Sequence, residues 1–422
     1  MVYVISKDGH PLMPSRRHGK IRRLLKENKA KVIRRCPFTI QLLYETEENV
    51  QDVTLGVDTG SKIIGLSATT ETKELFAGEL ELRDDISKNL TARRQFRRTR
   101  RNHKTRYRKP RFDNRIRSKH KGWLAPSVEA KIETHIRIIE KICGILPIKD
   151  IVIEVAAFDT QKMQDPEISG VEYQQGTLTG YTIRKYLAEK FDHKCCYCKR
   201  PQGKGVRFEV EHLTPKVRGG SNRITNLGWS CQDCNEKKDA LTCEEFGHPE
   251  VREKAEAGMK HAAHMSIMRW KLFERLKAIY GDRLHLTHGS TTSYHRNMAK
   301  LEKSHAVDAK CISGNPYAEP AEEIFYMRKV RRHNRQTHKA KINKVGVRKR
   351  NQAPYEVKGF RLFDRVKVIG REWYVHGRRL NGSFVLKTLQ GEKLEITPSK
   401  ITLLGQQHAY ITERRTALLS AL

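Results

Sequence analysis

The chain has 422 residues, 83 Lys and Arg against 48 Asp and Glu, and a formal net charge of +35. A hydrophobic share of 37% suffices for packed cores, and the length allows two to four domains at about 150 residues each. No apolar run reaches the roughly 18–20 residues of a membrane span. Met1–Ile5, followed by Lys7, Asp8 and His10, lacks the order of a secretion signal. These features argue against membrane and secreted classes. They lead to the expectation of a cytoplasmic protein that works on a polyanion, nucleic acid being the commonest.

The charge is uneven. Residues 51–86 carry a net −5, residues 87–121 a net +15, residues 122–250 a net −1 and residues 314–422 a net +14. In chain order, Thr54-Leu-Gly-Val-Asp58-Thr-Gly-Ser reads as a strand and tight turn, with Asp58 near the strand end. The first basic segment follows and has no Gly or Pro between Ser87 and Lys109. Arg93, Arg94, Arg97, Arg98 and Arg101 fall at helical spacing with almost no acidic partners. Like charges so placed weaken a bare helix, so the helix is expected to lie against phosphates. Next, a helix over Val128–Leu146 leads through Pro147 to Ile151-Val-Ile-Glu154, a carboxylate inside an apolar strand. Such a carboxylate needs a partner or a metal.

Cys195-x2-Cys198 and Cys231-x2-Cys234 are separated by 32 residues and can close on one tetrahedral zinc, a structural site. The other five cysteines are scattered, as in a reducing compartment. Between the pairs lie Glu211-His212, Arg218-Gly-Gly-Ser and Asn226-Leu; Asn235 follows the second pair directly. Further on, Ser304-His305-Ala-Val-Asp308 reads as a helix start with His305 and Asp308 on one face. The second basic segment, Arg328–Arg350, holds 11 Lys or Arg, among them Arg331, Arg332 and Arg335, and no acid. Short strands at Phe360–Ile369, Glu372–Arg379, Ser383–Leu389 and Leu394–Ile396, parted by Gly-containing turns, predict a small antiparallel barrel.

The Cys195–Asn235 module resembles the HNH endonuclease, or ββα-metal, motif. The resemblance implies His212 as general base, Glu211 and Asn235 as ligands of one Mg2+, and Asn226 as the residue that orients the loop presenting His212. The family more often has Asp beside the histidine. Asp58, Glu154 and Asp308, in that order, resemble the three split motifs of a RuvC-like nuclease of the RNase H fold. There, two Mg2+ ions are held by the three acids, with His305 beside them as a proton-transfer or phosphate-contacting group.

The order of these parts resembles the type II CRISPR effector nucleases, without room for their large helical lobe, and more closely the IscB family. Pro11-Leu-Met-Pro14 and Arg97-Arg-Thr-Arg-Arg101 match that family's N-terminal and bridge-helix motifs. The implied architecture is α/β multidomain. An N-terminal domain spans 1–50, RuvC-like segments span 51–86, 122–170 and 251–313, and an Arg-rich bridge helix spans 87–121. The HNH domain takes 171–250, and a basic, β-barrel-like C-terminal domain that meets the target-adjacent motif takes 314–422. The resemblance implies a monomeric ribonucleoprotein of the prokaryotic cytoplasm. A structured guide RNA directs it to double-stranded DNA, HNH cuts the guide-paired strand and RuvC the displaced one. Two rivals are a guide-free HNH homing-type endonuclease and a catalytically silent RNA-guided DNA-binding protein.

Overall fold

The structure, a computed structural model, describes residues 1–102, 123–154, 183–203, 205–256, 260–331, 341–342, 348–349, 355–379, 382–406 and 409–416. It divides into two compact units. One comprises Met1–Ile153, Arg283–His285 and His295–Leu422; the other comprises Glu154–Asp282 and Leu286–Tyr294.

In the first unit, the N-terminal strands are β1 (Val2–Ile5), β2 (Pro11–Ser15), β3 (Ala30–Arg35) and β4 (Phe38–Leu42), ordered β2-β1-β4-β3. Their apolar positions close on the helix His18–Lys26 through Val2, Val4, Leu12, Ile21, Ile40 and Leu42. Burial of such side chains is worth about 1.5–3 kcal/mol each and holds this small layer together.

A seven-stranded sheet forms the centre. It contains β5 (Val53–Asp58), β6 (Ile63–Thr69), β7 (Glu74–Glu81), β8 (Ile148–Glu154), β11 (Leu284–Thr287), β12 (Glu323–Lys329) and β20 (Tyr410–Thr416). The order is β11-β8-β5-β6-β7-β12-β20. β5, β6 and β7 form an antiparallel meander, while β8 runs parallel to β5 with Ile153 opposite Val57. The sheet's near-continuous apolar strands explain why β5 and β6 are buried on both faces. The helix Pro126–Cys143 feeds β8. Pro126 starts it, Gly144 caps it, and Val128, Ile132, Ile136, Ile139 and Ile142 form its buried stripe.

Two features depart from expectation. The segment assigned to the C-terminal domain supplies β12, parallel to β7, and β20, antiparallel to β12, so both ends of 314–422 belong to the central sheet. Between them, β15 (Arg365–Val368), β16 (Arg371–Arg378), β17 (Phe384–Lys387), β18 (Lys393–Ile396) and β19 (Thr402–Gly405) pair antiparallel as β18-β17-β16-β15-β19. The fifth strand, β19, was not foreseen. Val366, Val368, Trp373, Val375, Phe384 and Leu386 form that sheet's core. A two-residue ladder, β13 (Lys341–Ile342) with β14 (Arg348–Lys349), lies in the basic segment.

The second unit holds β9 (Phe208–His212) and β10 (Leu227–Cys231), paired antiparallel, with helices at Ile183–Lys190, Gln232–Lys238, Pro249–Glu256 and Lys260–Tyr280. The expected boundary at residue 250 does not separate this unit, which continues to Asp282.

Candidate active sites

The β9–β10 hairpin followed directly by the helix Gln232–Lys238 is a ββα arrangement. Side chains alternate along β9, so Glu209 and Glu211 share one face and His212 takes the other. The helix lays a matching pair, Asn235 and Lys238, at i and i+3 on the glutamate face. Asn235 Nδ2 donates to Glu209 Oε2 at 2.9 Å. Lys238 Nζ lies 2.6 Å from Glu211 Oε1, both side chains almost fully buried, and also donates to the His212 carbonyl at 3.0 Å. Burial pushes the Glu211 carboxyl above the usual carboxylate range, with Lys238 partly offsetting it.

His212 is half-buried, with Nε2 3.0 Å from Asn222 Oδ1. In the neutral imidazole, an Nε2–H donated to that amide oxygen leaves the lone pair on Nδ1, the tautomer a general base acting through Nδ1 requires. The loop behind it is stapled by Asn226, which accepts from the Thr214 amide at 2.9 Å and donates to the carbonyls of Thr214 and Ser221, each at 3.0 Å. A Cβ at Gly220 would meet the Thr214 carbonyl oxygen at 1.8 Å and Gly219 has φ +80°, which together account for the Gly-Gly step.

The four cysteines Cys195, Cys198, Cys231 and Cys234 converge, their sulfur atoms all within 4.8 Å of one another. Cys198 Sγ and Cys231 Sγ are 3.7 Å apart, close to the roughly 3.8 Å that four 2.3 Å Zn–S bonds impose on a tetrahedron. The cluster fits a structural zinc. Cys196 is buried and ties the first knuckle to β10 through its amide and the Trp229 carbonyl, at 2.8 Å.

The donor set expected at the HNH magnesium is less well disposed. Carboxylate and amide oxygens suit Mg2+, but Glu211 is buried against the Lys238 ammonium while Asn235 engages Glu209. Glu211 as placed here is a member of a buried ion pair rather than an open ligand. Glu209 was missed in the sequence, although its i−2 position to Glu211 was the available signal.

In the first unit, the helix His305–Ile312 starts at Ser304, whose side chain accepts from the Val307 amide. It packs onto β5 and β6 at backbone distance. A Cβ at Gly65 would meet the His305 carbonyl oxygen at 1.9 Å, and one at Gly56 the Ala309 carbonyl oxygen at 2.0 Å. Gly65 is the register partner of Asp58. The two glycines thus admit the helix that brings His305 Nδ1 to 2.6 Å from Asp58 Oδ2. Burial opposes charge on His305, but the hydrogen bond and charge of Asp58 outweigh it and raise its pKa above that of ordinary imidazole. Asp58 and Asp308 are both buried, each 8% exposed. Burial, then the Asp58 charge, raise the Asp308 pKa, while Arg296, in contact with its Oδ1, lowers it. Asp58 is thus paired with His305 and Asp308 with Arg296, and the two carboxylates lie near enough for the Asp58 charge to act on Asp308.

Glu154 closes β8 and belongs to the second unit, where its Oε2 accepts from the Thr292 hydroxyl at 2.9 Å. Arg296 and Thr292 had no sequence signal. The Arg-rich segment is helical over Ile86–Asn102, with Arg93, Arg94, Arg97 and Arg98 exposed. The side chain of Arg101 and residues 103–121 of the expected bridge helix lie outside the described residues, as do Arg332 and Arg335; Arg331 is exposed. Among the described residues no helix is long and apolar enough to cross a membrane.

Comparison with known proteins bears on the HNH module. The RRXRR protein family matches residues 2–176, and the HNH endonuclease family matches residues 195–240. The chain therefore has an HNH endonuclease domain over residues 195–240, behind a region that matches the RRXRR family. No curated protein matches it. Among solved structures it is similar to Streptococcus thermophilus Cas9 in complex with the GGAA PAM, at 14% identity and TM-score 0.25, covering 52% of this chain and 30% of that one. It is also similar to the Type II-C Cas9 enzyme from Actinomyces naeslundii, at 12% identity and TM-score 0.25, covering 63% and 60%. The chain thus spans less than two thirds of the length of either protein.

Proposed function

We propose that the chain is an RNA-guided double-stranded DNA endonuclease with two cutting sites, one in the HNH module and one RuvC-like. The observation that carries the second site is the Asp58–His305 hydrogen bond, joining residues 247 apart on a support built by Gly56 and Gly65. A meander followed by a parallel β8 beside β5 is the strand order of an RNase H-like sheet, and supports the RuvC-like reading. Asp58 and Asp308 would hold Mg2+, which would supply water activation and leaving-group stabilisation, with Glu154 the third acid of the RuvC-like resemblance. His305, whose protonated form Asp58 favours, would contact the scissile phosphate or give up a proton. His212 would take a proton from water through Nδ1, in a loop held by Asn226.

On this reading HNH cuts the guide-paired strand and the RuvC-like site the displaced one. Arg93, Arg94, Arg97, Arg98 and Arg101 hold the guide and its heteroduplex, and Arg331, Arg332 and Arg335 add phosphate contacts. The test is the RNA itself. The chain is expressed with its native flanking DNA, purified at moderate salt, and its bound nucleic acid sequenced. One dominant RNA, with a constant body and an end matching flanking DNA, is expected. A heterogeneous mixture removed by salt would contradict guidance and favour the guide-free HNH nuclease.

A further inference from the structure

At the base of the Arg-rich helix the first unit contains a cavity of about 340 Å³ that neither cutting site uses. Its floor is apolar, formed by Leu82, Ile86, Ala130 and Val330. Its rim carries four cations, Arg83, Lys131, Arg137 and Lys329, and the Glu133 carboxylate. The two arginines are matched, Arg83 by Asp85 at 2.8 Å and Arg137 by Glu133 at 2.6 Å. Lys131 donates to the Ser61 carbonyl at 2.7 Å, and the Lys329 ammonium lies 4.2 Å from the centre of the Tyr410 ring. These neighbours are neutral, so two lysine charges in the rim stand above the acids that face it. Burial lowers the Lys329 pKa, and the charges of Arg137 and Arg83 lower it further. The site is one where positive charge is unwelcome until an anion arrives.

An apolar slot with a cationic mouth matches an amphipathic anion: a flat ring for the floor and a phosphate for the rim. We propose that this cavity binds one nucleotide unit, with the base against Ile86, Ala130 and Val330 and the phosphate against Lys329 and Arg137. The unit could be a residue of a bound nucleic-acid strand or a free mononucleotide. Only the first source rests on the reading as a nucleic-acid enzyme.

The full chain, stripped of nucleic acid at high salt, is dialysed to equilibrium against labelled adenosine 5′-monophosphate, with adenosine and inorganic phosphate as separate probes. One monophosphate per chain is expected, bound about tenfold or more tighter than either half alone, since floor and rim act together. K329M should weaken it about tenfold by removing a charge-assisted contact. A130W, which fills the slot, should abolish it. If A130W fails to fold, K329M and R137M carry the test. A monophosphate that binds no tighter than phosphate, or is indifferent to K329M and R137M, overturns the proposal. Competition by a 5′-phosphorylated dinucleotide assigns the site to a strand; its absence assigns it to free nucleotide. Cleavage plays no part in this readout, so the cavity and the nuclease reading stand or fall separately.

Discussion

The HNH module and the Asp58–His305–Asp308 cluster are assembled by opposite routes. The module is local. Its hairpin, cysteine cluster and helix come from residues 195–238, and the four cysteines supplement a small core that includes Phe208, Leu213, Leu227 and Trp229. The acidic cluster is assembled from segments 247 residues apart and depends on a sheet, a helix and two glycines that let them touch. A short stretch of chain buries too little apolar surface to order itself, so a metal clamp is the economical support. A large sheet needs none, but its precision rests on backbone fit.

The comparison breaks most clearly under metal removal. Structural zinc contributes about 10–16 kcal/mol to small cysteine modules, so a strong chelator should unfold residues 195–238. Limited proteolysis should then cut within that stretch and spare β5–β7; protection of both would contradict the zinc assignment. Next in size is the buried pair beneath the HNH strand. Lys238→Met leaves Glu211 buried without its ammonium, a change worth about 3–5 kcal/mol, read as a lower denaturation midpoint of the HNH module. An unchanged midpoint would mean that the pair is not formed.

Gly65→Ala probes the other region. Its methyl must displace the His305 backbone, which costs about 3 kcal/mol by overpacking and should lower the stability of the central sheet while leaving the zinc module intact. A neutral Gly65→Ala would deny the close approach of helix His305–Ile312.

The smallest effect is a pH dependence. His305 is raised in the folded state, so its pairing with Asp58 contributes fully below the ordinary imidazole value of about 6.5 and is lost as pH rises through the higher folded value. Asp308, also raised, acts in the same direction, but at the carboxylate end of the scale. Melting temperature should therefore fall across the imidazole window in the native chain and stay flatter in His305→Ala; identical slopes would remove the charged pair.

What was legible in the sequence follows the same division. The cysteine spacing, His212, Asn226 and Asn235 lie close along the chain, the last three within one hairpin and the helix that follows it. Asp58, His305 and Asp308 were legible only through resemblance, because nothing in a strand or helix names its distant neighbour. Their supports, Gly56 and Gly65, sat in the quoted motif without a visible role, since a glycine's close approach appears only with the helix in place. The Lys238–Glu211 and Arg296–Asp308 pairs were hidden because charge pairing is decided by side-chain direction in space. β12 and β20 were placed in the wrong domain because their alternating pattern fits either sheet.

The central claim is two separate cutting sites in one chain. It is tested most directly by strand-resolved cleavage of a labelled duplex with the guide RNA recovered from the native complex, comparing Asp58→Ala, His212→Ala and the double variant. Each single variant should nick one strand only, with opposite strands surviving in the two. The double variant should bind without cutting. Loss of both cuts in either single variant, with binding and folding intact, would contradict the account.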